Sequence, residues 1–144
     1  MAAAAAQAIP ILDRPTMTVV AAVIHRDGKV LIGQRPKGEW NEFKWEFPGG
    51  KMEPLETPRQ ALRRELEEEL GIDAQVEEEI TRYAFQYPGK PIIDLIFFRV
   101  REFRGEPANL AFHQIRWEDP ARFPFYDFLD GDIDFVRRMA RGNI

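Results

Sequence analysis

The 144-residue chain contains no cysteine. Disulfides, thiolate nucleophiles and zinc–sulfur centres are therefore excluded, and such a chain suits a reducing compartment, so a cytoplasmic location is expected. No apolar run is long enough to span a bilayer. The opening MAAAAAQAIPILDRP lacks the positive leader and longer apolar stretch of a secretory signal. An excess of basic charge is missing too: 20 lysines and arginines face 24 aspartates and glutamates, for a net charge of -4. Long nucleic acid and anionic membranes thus meet no broad attraction, and a polyanionic ligand would need local basic groups or a metal. The two histidines, His25 and His113, stand alone and are expected to be structural.

What is present describes an ordinary globular protein, 44% hydrophobic and 31% charged. Residues 1–15, interrupted by Pro10 and Pro15, are expected to form a loose tail, and 16–144 a single domain. TVVAAVIH (18–25) reads as a buried strand, RDGK as an Asp-Gly turn, and KVLIGQR (29–35) as the returning strand of a hairpin. PKGEWNEFK (36–44) reads as a loop and WEF (45–47) as a short strand. Pro48, Gly49, Gly50 and Pro54 make FPGGKMEPLE (47–56) irregular. A helix follows, with Thr57 as N-cap, Pro58 at its first position, Gln60 completing a capping box and Gly71 at its end. AQVEEEITRYAFQYP and PIIDLIFFRVREF read as two strands joined by a Gly-Lys-Pro turn, and HQIRWED (113–119) as another. DIDFVRRMARGN is expected to be helical, with Ile133, Val136 and Met139 on one side. The fold class implied is α/β (α+β), a mixed sheet sandwiched by helices.

The first helix carries an anomaly. RELEEELG (64–71) places four glutamates at the helix C-terminus, against the macrodipole, with Glu65 and Glu69 a like-charge i,i+4 pair. At about 100° per residue, Leu62, Leu66 and Leu70 form an apolar stripe, with Glu69 on its edge and Glu65 about 40° further round. Glu68 continues the row, whereas Glu67 points to solvent. Carboxylates bordering a core are costly unless paired or metal-bound. Oxygen-only ligation suits Mg²⁺ or Mn²⁺, and neutralisation by arginines is the alternative.

From Gly50, five residues lead to Glu56 and seven more to Arg64, with ELEEELGI following. This resembles the Nudix box of nucleoside-diphosphate-linked hydrolases at every defining position over 23 residues (50–72), and WEFPGGKMEPLETPRQALRRELEEELGI is similar to the MutT branch. The resemblance implies a Nudix α/β/α sandwich. It also implies Mg²⁺-dependent cleavage of a phosphoanhydride, converting a nucleoside triphosphate to monophosphate and pyrophosphate. Carried over residue by residue, Glu68 and Glu69 would bind metal, Glu65 would share the metal or activate water, and the Gly49 carbonyl would be a further ligand. Glu56 would support the cluster, and Arg64 would orient the carboxylates, with Glu68 as the expected partner.

Two positions depart from the family pattern. Leu55 stands where many members have glycine, which bears on the path of the loop before Glu56. Gln114 stands near a further acidic ligand and could not serve as a charged base. Arg35 and Lys51 match phosphate-contacting residues. Phe47, Tyr87 and Phe125 are candidate base-stacking groups. Asp127 lies near an asparagine that reads oxidised guanine in MutT-type enzymes, and an ionised aspartate there would offer only acceptors. Lys37, Lys44, Arg82 and Lys90 are expected on the surface, and Asp94 is either a substrate contact or a satisfied strand residue. The expected activity is therefore hydrolysis of a nucleoside triphosphate, modified or oxidised forms included, in sanitising the nucleotide pool. The rivals are ADP-ribose, dinucleoside polyphosphate or RNA-cap hydrolysis, and, in another class, a non-catalytic nucleotide sensor.

Overall fold

Strand β1 (Met17–Arg26) organises the computed structural model, which describes Pro15 and residues 17–144. The expected tail, Pro15 apart, lies outside the described residues. Val20 to Ile24 are all buried, which fits a central strand covered on both faces. Alternation then sends Val20, Ala22 and Ile24 into one core and Ala21 and Val23 into the other.

β1 turns through Asp27 and Gly28, both at positive φ, into antiparallel β2 (Lys29–Gln34), as the Asp-Gly signal requires. Along its other edge β1 runs parallel to β7 (Ile92–Val100), in register from Met17 opposite Ile93 to Ile24 opposite Val100. β7 pairs with antiparallel β6 (Glu79–Gln86), while β2 also pairs with β3 (Trp45–Glu46) and β9 (Gln114–Glu118).

The structure corrects three strand expectations. Gly49–Lys51 forms a short strand, β4, paired antiparallel with Val19–Ala21 of β1; the sheet imposes extended backbone on glycines that have no such preference themselves. The run 74–88 divides into β5 (Asp73–Gln75) and β6, and the later run into β7 and β8 (Glu102–Arg104). β5 and β8 leave the main sheet to form their own ribbon.

Helix α1 (Pro58–Leu70) has the expected caps. Gln60 N–H donates to Thr57 Oγ1 at 3.2 Å, Thr57 N–H donates to Gln60 Oε1 at 2.9 Å, and Gly71 closes the helix at φ 70°. Leu62, Leu66 and Leu70 are fully buried against β1 and β7. Burial stabilises by roughly 1.5–3 kcal/mol per leucine, against a few tenths for each misplaced charge, so packing outweighs the glutamates' penalty. Helix α2 (Ile133–Ala140) covers the opposite face. Val136 and Met139 are buried there as expected, and Phe135 stacks on Phe97 with ring centroids 3.9 Å apart.

Candidate active site

A cleft of about 490 Å³ opens where β1 exchanges β2 for β4 as its neighbour. Val19–Ala21 and Gly49–Lys51 form one wall; Arg35, Trp40 and Glu46 approach from β2, β3 and the loop between them. Tyr87 and Lys90 come from the β6–β7 turn, Asp132 from the start of α2, and Glu69 reaches in from α1.

The acidic helix meets β4 through two close approaches. Gly49 N–H donates to Glu69 Oε1 at 3.0 Å. A Cβ on Gly49 would lie 1.9 Å from the Val20 carbonyl oxygen, and one on Gly50 would lie 1.7 Å from Glu65 Oε2. A side chain at Gly49 would meet backbone, and one at Gly50 would have to displace the Glu65 carboxylate, which is why a glycine pair precedes this helix.

Burial pushes the Glu69 carboxyl up to about 9, reinforced by Glu46 and Glu65, while the Gly49 N–H pulls it down. Burial likewise raises Glu65 to about 7, with Arg64 opposing and Glu68 adding to the rise. Without a cation these carboxyls are driven toward their neutral forms. Glu68 departs from the expected row: its side chain is 58% exposed and turned to Arg64, 3.3 Å away. Among the described residues, no three acidic or histidine side chains form a ready-made cation cage. The donor set nevertheless fits a hard divalent ion, since Glu65, Glu68 and Glu69 offer oxygen alone and the first two share Arg64 as neighbour.

Arg64 is a hub. Nε and Nη2 donate to the two Glu56 oxygens at 2.7 and 3.0 Å, and Nη2 also reaches the Lys51 carbonyl at 3.1 Å. The expected pairing with Glu68 is present at 3.3 Å, and Glu56 is a further, closer partner whose hydrogen bonds from Arg64 hold its carboxyl below the ordinary range. Leu55, just before it, is fully exposed at φ 69°. The loop therefore follows a glycine-like path despite the leucine, and Glu56 reaches its arginine.

The remaining expectations divide. Arg35, Lys51 and Tyr87 line the cleft; Arg35 Nη1 pairs with Glu46 at 3.1 Å, and Tyr87 Oη accepts from Gly131 N–H at 2.8 Å. Phe47 borders the cleft, but it is only 3% exposed and its ring packs among Phe97, Phe123, Phe128 and Phe135, so it is a core residue without a free stacking face. Asp127 lies outside the cleft, paired to Lys44 at 2.9 Å. Phe125 is also outside it, on the surface under Arg122. Lys90, expected on the surface, lines the cleft. Asp94 is satisfied by Arg82 at 3.3 Å. Gln114 Nε2 donates to Gln34 Oε1 at 2.8 Å and lies apart from the glutamates.

Three cleft residues escaped the sequence reading: Trp40, Glu46 and Asp132. Burial raises Glu46 to about 7 against the pull of Arg35. Asp132, 5% exposed, is raised well above the usual carboxylate range by burial and then by Glu46, with a backbone hydrogen bond from Phe47 opposing. Strand alternation offered a signal for Glu46, which faces away from buried Trp45 and Phe47; Asp132 resembles an ordinary residue at a helix start.

The α/β/α sandwich thus lays a glycine strand against an acidic helix, beside this cleft. The NUDIX domain model matches residues 14–139, and the chain belongs to that family. It is 43% identical over 118 residues to the CTP pyrophosphohydrolase of Escherichia coli, covering 82% of this chain and 87% of the relative. Identity is 44% over 129 residues to the 8-oxo-dGTP diphosphatase of Haemophilus influenzae, covering 89% and 94%. The solution structure of the E. coli ORF135 protein superposes with a TM-score of 0.79 at 39% identity, covering 89% of this chain and 91% of that one. The protein is accordingly a MutT-like Nudix pyrophosphohydrolase.

Proposed function

We propose that this enzyme hydrolyses a nucleoside triphosphate to monophosphate and pyrophosphate, with Mg²⁺ (Mn²⁺ as a substitute) held by Glu65, Glu68, Glu69 and the Gly49 carbonyl. One observation carries the reading: the Glu65 and Glu69 carboxyls are pressed against the glycine strand at the edge of a nucleotide-sized cleft, where burial raises both. A divalent cation bound there supplies charge neutralisation for the diphosphate and Lewis acidity toward water. Glu65, once ionised, is the proton acceptor. Arg64 fixes Glu56 and the β4 carbonyl of Lys51, so the metal-binding face of α1 stays in place against the glycine strand. Arg35 and Lys51 meet the phosphates from the cleft wall.

The nucleobase end of the cleft is acidic. A protonated Asp132 carboxyl both donates and accepts a hydrogen bond, whereas an ionised one only accepts. That mixed capacity suits the amide edges of cytosine and of oxidised purines alike, in keeping with the two substrates named for the relatives. The role proposed is sanitising the nucleotide pool, with a cytoplasmic location and one Nudix domain from residue 16 onward as parts of the same proposal.

The test is incubation with Mg²⁺ and a panel of CTP, 8-oxo-dGTP, the normal triphosphates, ADP-ribose and dinucleoside polyphosphates, with products resolved by ion exchange. Monophosphate plus pyrophosphate from a triphosphate, lost in Glu69→Gln, is expected. Turnover of ADP-ribose alone would overturn the substrate, and nucleotide binding without turnover would overturn the enzyme reading in favour of a sensor.

A further inference from the structure

Trp40 is the one cleft residue whose ring is both large and open. It stands on the β2–β3 loop, 43% exposed, at the lip opposite the β6–β7 turn. Tyr87 meets it edge-on at 4.8 Å between centroids, and the Lys90 ammonium lies 5.8 Å from its ring centroid. The two lips of the cleft thus touch each other through this indole.

The loop holding Trp40 is fixed on several sides. Arg35 Nε donates to the Trp40 carbonyl at 2.7 Å, and Arg35 N–H donates to the Lys44 carbonyl at 2.8 Å. Gln114 donates to Gln34, which in turn donates to the Phe43 carbonyl at 3.0 Å. Asn41 and Phe43 stand at φ 54° and 65°; asparagine takes this region readily, but a phenylalanine there is held by its surroundings. What distinguishes this indole from an ordinary exposed aromatic is its place: a multiply anchored loop presents it, partly open, to a cleft with basic and acidic lining.

We propose that Trp40 is the nucleobase-stacking residue of this cleft, its indole face taking a base whose edge Asp132 meets. The inference rests on the nucleoside triphosphate reading above. The indole presents a π-face that any base can use, so Trp40 supplies affinity while Asp132 discriminates. Two cations stand over the ring: Arg35, 5.5 Å from the centroid and anchored to Glu46 and the Trp40 carbonyl, and Lys90 at 5.8 Å. Lys90 is the displaceable one, since an exposed ammonium gains little over the ring and can swing to a phosphate when the base arrives.

The experiment compares wild type, Trp40→Ala and Trp40→Phe by calorimetry, using the α,β-methylene analogues of CTP and 8-oxo-dGTP and, as a base-free ligand, tripolyphosphate. Trp40→Ala is expected to weaken the nucleotide analogues about tenfold or more, the ordinary effect of removing a stacking aromatic. It should leave tripolyphosphate unchanged, and Trp40→Phe should retain most of the nucleotide affinity. Equal nucleotide affinity in wild type and Trp40→Ala, or a parallel loss of tripolyphosphate, would overturn the assignment. Failure of the wild type to bind either analogue would overturn the functional reading itself.

Discussion

Gly50 and Glu65 share a space that admits one side chain. A methyl group at Gly50 would fall 1.7 Å from Glu65 Oε2 and 2.5 Å from its Cδ, so Gly50→Ala must displace the carboxylate. The obstructing atoms are the far end of a flexible side chain, which can rotate away without disturbing the leucine stripe beneath. Stability should therefore change little, whereas a catalytic group shifted by about 1 Å typically costs about 10²-fold in rate. Thermal unfolding of Gly50→Ala close to wild type, with kcat/KM lowered at least about 100-fold, is the expected pair of measurements. Retained activity would remove Glu65 from the reaction. Leu55 is the contrasting case: it occupies a glycine-like conformation without clash, because its side chain projects fully into solvent.

At the level of elements, α1 carries the face proposed to bind metal, and the signals that define α1 are local. Thr57, Pro58, Gln60 and Gly71 act within a few residues of themselves, so the helix and its glutamates were legible from the sequence. Replacing Thr57 by Ala removes the hydroxyl that accepts from Gln60 N–H, and should cost about 1 kcal/mol. Chemical denaturation of Thr57→Ala should show that loss with an unchanged slope, and activity should fall only where the helix frays. The other side of the cleft was not legible in the same way. Trp40, Glu46 and Asp132 belong to a loop, an edge strand and a helix start, which meet only when β3 docks beside the chain leading into α2. The same docking turns Asp127 out toward Lys44, away from the cleft, and buries the Phe47 ring among phenylalanines at the cleft's border, so tertiary packing denies both the contact expected of them. β4 was missed for a related reason: glycines announce a turn, and only pairing with β1 makes them a strand.

For the whole molecule, the acidic cleft couples folding to pH and to metal. Glu65 and Glu46 are raised to about 7, and Glu69 to about 9, whereas in the unfolded chain each has an ordinary glutamate value near 4.3. Between about pH 4.5 and 9 the folded protein thus binds more protons than the unfolded chain, and stability must fall as pH rises through that window. The sign is opposite to that of a salt-bridged carboxylate such as Glu56, whose lowered value adds stability above the unfolded pKa and loses it in acid. At the proposed site Mg²⁺ would bind the ionised carboxylates, so its affinity is expected to rise with pH and its stabilisation to grow over the same window. In chelator, the melting temperature is expected to decline from pH 5.5 to 8.5, and millimolar Mg²⁺ should shift it upward by an amount that increases with pH. Glu69→Gln, which removes the group with the largest rise, should flatten the chelator profile, melt higher than wild type at pH 8.5, and lose most of the Mg²⁺ shift. A chelator profile that rose with pH in the wild type would contradict the buried carboxyl cluster, and an undiminished Mg²⁺ shift in Glu69→Gln would move the metal away from α1.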